Sequence, residues 1–168
     1  MTAPAPIAPT RARGIDPRGP RVVAGIVAIT FLAVIAFALL GLETPAWGIA
    51  ALVLAIYSAA IFLFAAIAGV PRHPYGILFT TLIRPRLKPP VELEDPTPPT
   101  FAQGVGFVVT IAGILLFIPF GPIALVIAGA AAFVAAFLNS VFAYCLGCQI
   151  YLLLARLGIL GKRGAATA

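Results

Sequence analysis

The chain contains only two cysteines, Cys145 and Cys148, and they stand at Cys-x-x-Cys spacing near its C-terminal end. Two thiols at this spacing can close a small disulfide ring or bind one metal ion together. At a helix N-terminus, the helix dipole and the free backbone N–H groups lower a thiol pKa and so raise the thiolate fraction. We therefore take Cys145 and Cys148 as candidate catalytic residues for redox chemistry or sulfur relay.

Two other interpretations apply to the same cysteines. A structural zinc ion needs four ligands, and one Cys-x-x-Cys supplies two. The only histidine, His73, could approach the pair as a third ligand, or a second copy of the chain could supply a second pair. The plainest alternative is that Cys145 and Cys148 pack as small apolar residues, because free cysteine is among the most buried residue types. We expect no cofactor.

The cysteines belong to a very apolar chain. Of its 168 residues, 62% are hydrophobic and 10% are charged, and the mean hydropathy is +1.11. A soluble domain is about half apolar and about a quarter charged. This composition therefore excludes a soluble enzyme, a disordered chain and a disulfide scaffold.

Charged residues are missing from three long segments, which are 22–42, 44–71 and 96–155. About 20 apolar residues in a helix cross the hydrocarbon core of a bilayer. The first two segments each suit one span, and the third suits two, divided at Pro119–Pro122, where prolines remove backbone donors and glycine permits a turn. The sequence predicts an all-α protein with four transmembrane helices over 22–41, 47–68, 102–118 and 122–144.

The basic residues predict the orientation of these spans. All eleven Lys and Arg residues lie in the N-terminal tail, the loop 71–101 or the C-terminal segment, which share one side of a four-span protein. The positive-inside rule makes that side cytoplasmic, so both termini are expected there. The net charge of +6 then indicates anionic lipid head groups as partners and no nucleic acid. The remaining boundaries are a disordered tail 1–21, a membrane domain 22–158 and a short tail 159–168.

The two halves of the chain resemble each other. Asp16-Pro17-Arg18-Gly19-Pro20 matches Asp95-Pro96-Thr97-Pro98-Pro99 at an offset of 79, and Tyr75 matches Tyr151 at an offset of 76. Each half would contain one span out, one span back and a short cytoplasmic helix. Two spans per half give both halves the same orientation, so the repeat predicts a pseudo-two-fold axis along the membrane normal.

Two blocks of the sequence resemble a known family. They are Glu94-Asp95-x-x-Pro98-Pro99-x-Phe101-Ala102-Gln103 and Cys145-Leu146-Gly147-Cys148-x-x-Tyr151. With these blocks, about residues 15–158 resemble the bacterial membrane family called domain of unknown function 4395. The resemblance implies a multi-pass protein of the bacterial plasma membrane, and it transfers no established activity. Some members are encoded near thioredoxin-like and sulfurtransferase genes, which fits a dithiol.

The spans contain no Asp, Glu, His, Lys or Arg, which argues against a proton-driven transporter. The leading hypothesis is a cytosol-facing dithiol that exchanges electrons or sulfane sulfur with a soluble thioredoxin-like or rhodanese-like protein. Cys145 would attack and Cys148 would resolve, as in thioredoxin-like motifs. The alternatives are a non-enzymatic membrane scaffold or accessory subunit, and a dimeric metal-binding module. Whether the protein is an enzyme stays open.

Overall fold

A computed structural model describes residues 14–160, and within this range the chain forms six α-helices and no strand beyond one isolated bridge. Most of the predicted tail 1–21 and of the predicted tail 159–168 lies outside the described residues. The helices are α1 Arg18–Leu40, α2 Pro45–Ala68, α3 Pro74–Leu78, α4 Thr97–Phe120, α5 Pro122–Phe142 and α6 Leu146–Arg156. A π-helical turn, Phe79–Ile83, and a 3₁₀ turn, Arg84–Arg86, continue α3.

Four of the helices, α1, α2, α4 and α5, have 21 to 24 residues and are long and apolar enough to cross a membrane. At about 1.5 Å per residue they cover a hydrocarbon core of about 30 Å. Each also keeps large aliphatic side chains exposed, as a lipid-facing helix must: Ile29, Ile67, Ile118 and Ile127. The predicted all-α fold with four long apolar helices is confirmed.

Two helices begin several residues earlier than the spans predicted over 22–41 and 102–118. α1 begins at Arg18 and α4 at Thr97. In both cases an aspartate two residues earlier accepts a hydrogen bond from the first helical N–H: Asp16 Oδ1 from Arg18 at 3.1 Å, and Asp95 Oδ1 from Thr97 at 2.8 Å. Proline is tolerated in the first turn of a helix, because the N–H groups there have no intrahelical partner.

The turn between α4 and α5 is a single residue. Gly121 has a φ of +66°, a region that residues with a Cβ rarely adopt, and its N–H donates to the carbonyl of Phe117 at 2.8 Å. Pro122 then begins α5 at a position where a missing N–H costs nothing. These residues lie inside the predicted break.

The starts of the two halves meet in one antiparallel bridge. The N–H of Ile15 donates to the carbonyl of Glu94 at 2.9 Å, and the N–H of Glu94 donates to the carbonyl of Ile15 at 2.9 Å. These residues stand 79 positions apart, which is the repeat offset. Because two residues that exchange both hydrogen bonds are related by a local two-fold, the bridge lies where a pseudo-axis between the halves would pass.

The packing of the four long helices follows the same pseudo-two-fold relation between the halves. α1 packs most extensively on α5, and α4 packs most extensively on α2, so the first long helix of each half lies on the second long helix of the other. The core contains Phe31, Val34, Phe62 and Leu125, surrounded by alanines. Small residues let the helices approach closely, and a Cβ added at Gly113 would stand only 2.4 Å from the Cβ of Ala128.

Candidate dithiol site and adjoining cavity

The chain reverses sharply between α5 and α6, and this reversal places the first cysteine. Ala143 follows α5 with a left-handed backbone, φ 56° and ψ 25°. A left-handed residue after a helix ends it and redirects the chain. The N–H of Tyr144 donates back to the carbonyl of Leu138 at 3.2 Å. Cys145 therefore precedes α6 directly, with an extended backbone of φ −88° and ψ 102°.

Cys145 is the N-cap of α6. Its Sγ accepts a hydrogen bond from the N–H of Cys148 at 3.3 Å, and its carbonyl accepts one from the N–H of Gln149 at 3.1 Å. Ser, Thr, Asp or Asn usually provides this acceptor. A sulfur in that place faces the positive end of the helix dipole, so its thiolate is favoured.

The two thiols have opposite acid–base properties. A hydrogen bond from the Cys148 thiol is the main reason that the pKa of Cys145 is lowered to about 7. The N–H groups of Cys148 and Gly147 lower this pKa further, whereas burial and the charge of Glu94 raise it. The pKa of Cys148 is raised, because its thiol donates to Cys145 and is partly buried. Both thiols are free and half-buried. Near neutral pH, a substantial fraction of Cys145 is therefore thiolate, whereas Cys148 keeps its proton.

Helix α6 is held against α4 by two contacts. A Cβ added at Gly147 would lie 2.5 Å from the Cβ of Ala102 and 2.7 Å from its Cα, so the glycine lies directly against α4. Three residues after Cys148, the ring of Tyr151 packs on that of Phe101 with centroids 5.6 Å apart. The two sequence blocks noted above are therefore in direct contact.

A cavity of about 270 Å³ adjoins Cys145, between α1, α4, α5 and the start of α6. Its lining is almost wholly apolar. The polar side chains in the lining are those of Gln103, Asn139 and Cys145. The Oε1 atom of Gln103 is buried and has no hydrogen-bond partner among the described residues.

His73 is not brought to the cysteines. It is fully buried at the start of α3, where its Nδ1 accepts a hydrogen bond from the N–H of Tyr75 at 3.1 Å. Burial lowers the pKa of His73 to about 4, so the ring is neutral at pH 7. Within residues 14–160, no three His, Cys, Asp or Glu side chains gather closely enough to hold a metal ion. The structure thus gives the alternative site of Cys145, Cys148 and His73 no support within one chain.

Residues 15–156 match a protein family described as domain of unknown function (DUF4395). The chain belongs to this family. The match confirms the resemblance inferred from the sequence. No curated protein and no solved structure matches the chain.

In this DUF4395 protein, sequence reasoning found the cysteines and missed two neighbours. Glu94 acts on both thiols through its charge, and Gln103 lines the cavity beside Cys145. Both residues belong to the Glu94–Gln103 block, which is one of the two blocks that resemble the family. That membership was the signal in the sequence that could have identified them. Asn139 lines the same cavity from α5.

Proposed function

We propose that this DUF4395 membrane protein is a dithiol that exchanges electrons or sulfane sulfur with a soluble thioredoxin-like or rhodanese-like protein. The observation that carries the proposal is Cys145 at the N-cap of α6, where its Sγ accepts a hydrogen bond from the N–H of Cys148 at 3.3 Å. Hydrogen bonds from the thiol and the N–H of Cys148 lower the Cys145 pKa to about 7. A thiol with a pKa near the ambient pH combines a substantial thiolate fraction with high nucleophilicity.

The redox step is a thiol–disulfide exchange. The Cys145 thiolate attacks one sulfur of the partner's disulfide, an S–S bond forms between the proteins, and the partner's other sulfur leaves as a thiolate. Cys148 then loses its proton, and its sulfur attacks Sγ of Cys145. The intermolecular bond breaks, the partner leaves as a dithiol, and Cys145 and Cys148 are oxidised to a disulfide. The reverse sequence restores the dithiol.

A sulfur relay would use the same nucleophile. The Cys145 thiolate would attack the outer sulfur of a persulfide on the partner. A new S–S bond would form on Cys145, and the partner's cysteine would leave as a thiolate. Attack by Cys148 on Cys145 would then release the sulfur as hydrosulfide.

The surroundings of the thiols suit a soluble partner. Tyr144 and Leu146 flank Cys145 and are exposed, which gives a partner an apolar surface beside the nucleophile. The positive-inside rule predicts that this end of the bundle faces the cytosol of a bacterial cell, where reduced thiols persist. That placement is consistent with a reversible dithiol rather than a permanent disulfide.

Trapping of the mixed disulfide tests the proposal. With oxidised thioredoxin as the probe, the Cys148→Ser variant should accumulate a covalent complex through Cys145, because the resolving thiol is missing. The Cys145→Ser variant should accumulate much less, since the remaining thiol of Cys148 lacks the N-cap hydrogen bond that Cys145 accepts and is itself partly buried. Non-reducing electrophoresis and mass spectrometry of the linked peptides give the readout. Equal trapping by both variants, or none by either, would contradict the proposal.

A further inference from the structure

The cavity beside Cys145 extends from the dithiol into the membrane domain. Its lining runs along α1 from Pro20 to Val27 and along α5 from Asn139 back to Ala131. Seven or eight helical residues correspond to about 10–12 Å along the helices. One end of the cavity therefore lies at Cys145, and the other lies among residues of the predicted spans.

The polarity of the lining differs between the two ends. Cys145, Gln103 and Asn139 lie towards the dithiol end, whereas Val27, Val109 and Ala131 line the deeper part. A buried polar atom without a hydrogen-bond partner is unfavourable, and Oε1 of Gln103 is such an atom. A lipid acyl chain would fill the volume and leave that atom unpaired. That atom needs a hydrogen-bond donor, so the lining favours a ligand with an apolar body and a polar head that carries a donor in at least one of its redox states.

We propose that this cavity binds the head group of a membrane quinone, which accepts two electrons from Cys145 and Cys148. A quinone has an apolar ring, two carbonyl oxygens and an apolar tail that remains in the bilayer. The volume of about 270 Å³ lies close to the lower end of small-molecule sites and suits one ring system. The amides of Gln103 and Asn139 can donate to the carbonyls, and Oε1 of Gln103 can accept from the quinol hydroxyl after reduction.

The reaction balances with the groups present. The Cys145 thiolate adds to a ring carbon, an S–C bond forms, and the displaced electron pair moves to a ring oxygen that takes a proton from water. Cys148 loses its proton, and its sulfur attacks Sγ of Cys145. The S–S bond forms, the S–C bond breaks with its electron pair left on the ring, and the second oxygen takes a proton. The quinone leaves as the quinol, and the dithiol has become a disulfide.

This inference rests on the proposed function, because it requires a reactive dithiol. The experiment therefore uses two oxidants on the full chain in lipid nanodiscs, reduced beforehand and kept anaerobic. Decylubiquinone is the membrane probe, and oxidised thioredoxin is the soluble probe. Formation of the Cys145–Cys148 disulfide is followed by alkylation and mass spectrometry, and quinol formation by absorbance.

The variants separate binding in the cavity from reactivity of the thiols. Ala135→Phe fills the cavity from α5, whereas Ala130→Phe adds the same bulk on the same helix at an exposed position that does not line it. We expect one quinol per disulfide in the wild type, and an oxidation rate by decylubiquinone about tenfold lower in Ala135→Phe. Ala130→Phe should match the wild type, and all three should react equally with thioredoxin.

Two results would overturn the inference while leaving the proposed function intact. One is a wild type that thioredoxin oxidises and decylubiquinone does not. The other is an Ala135→Phe variant that reacts with decylubiquinone at the wild-type rate. A wild type that neither probe oxidises would refute the proposed function as well. Equal helix content of the variants by circular dichroism shows that each has folded.

Discussion

The two halves of this molecule repeat one scaffold, but their short helices begin differently. In the first half, His73 caps α3, is fully buried, and accepts a hydrogen bond from a backbone N–H two residues on. In the second half, Cys145 caps α6, is half-buried and adjoins a cavity of about 270 Å³. In the first half, the cavity between α1, α2 and Tyr75 measures only about 10 Å³.

The comparison shows how one architecture serves packing in one place and reactivity in another. Burial lowers the pKa of His73 to about 4 and makes that side chain neutral. Hydrogen bonds lower the pKa of Cys145 to about 7 and make that side chain partly anionic. In the first half, Phe79 is almost fully buried and its ring lies against Gly19. The second half keeps its space open beside the thiol.

The largest effect is expected where α6 contacts α4. Gly147→Ala places a Cβ 2.5 Å from the Cβ of Ala102, so α6 must move and take the Cys145 cap with it. Loss of the cap should return the Cys145 pKa from about 7 towards its ordinary value, so the thiolate fraction at pH 7, and with it the rate with an aromatic disulfide reagent, should fall about tenfold or more. Gly104→Ala is the matched control, because a Cβ there meets nothing within 4 Å. Wild-type reactivity of Gly147→Ala would show that the contact does not position the thiol.

The stability of the fold should fall in acid because of His73. The reactivity of Cys145 should not depend on that residue. Because the folded-state pKa of His73 is depressed to about 4, the unfolded chain binds the proton first as the pH falls. Stability is therefore fully present above about pH 6.5 and declines towards pH 4. In His73→Phe, unfolding in detergent should lose this pH dependence, whereas Cys145 reactivity at pH 7 should stay unchanged. A persistent acid slope in the variant would show that another group causes it.

The donor to Cys145 should set its acidity. In Cys148→Ala the thiol hydrogen bond is lost, so the Cys145 pKa should rise from about 7 towards its ordinary value. Cys148→Ser keeps a hydroxyl donor and should keep the pKa low. The alkylation rate of Cys145 against pH reports the pKa, since only the thiolate reacts. If both variants titrate alike, the side chain of Cys148 does not control the nucleophile.

The smallest effect is expected from Glu94. Its negative charge raises the pKa of Cys145, so Glu94→Gln should lower that pKa by a fraction of a pH unit. The same alkylation profile measures this shift. Glu92→Gln removes an exposed charge from the same loop and serves as the control. A rise of the Cys145 pKa in Glu94→Gln would contradict the sign derived from the structure.

The four long helices were predictable because a membrane restricts the possible structures. Helices satisfy all backbone polar groups internally, so a charge-free run of sufficient length predicts one helix or two. The predicted spans began several residues after the true helix starts at Arg18 and Thr97. The aspartates and first-turn prolines that set these starts lie in polar sequence, which a search for apolar segments leaves out. Local hydrogen bonding, rather than the apolar segment, decides those ends.

The site was only partly predictable, for a related reason. Cys-x-x-Cys spacing at the end of a span indicated a thiol at a helix N-terminus, and Cys145 does cap α6. The cavity depends on α1 and α5, which are more than 100 positions apart at their contact of Arg21 with Ser140. Sequence patterns say little about packing between such distant segments. Gln103 and Glu94 therefore became visible as neighbours of Cys145 only in three dimensions.

The central claim is that Cys145 and Cys148 act as a reversible pair, and their oxidation state in native membranes tests it most directly. Cells are treated with a thiol oxidant, then allowed to recover, and free thiols are alkylated with isotopically distinct reagents at each stage. We expect a reduced pair at rest, an intramolecular disulfide or a persulfide under oxidant, and a reduced pair after recovery. A pair that stays fully reduced throughout would contradict it.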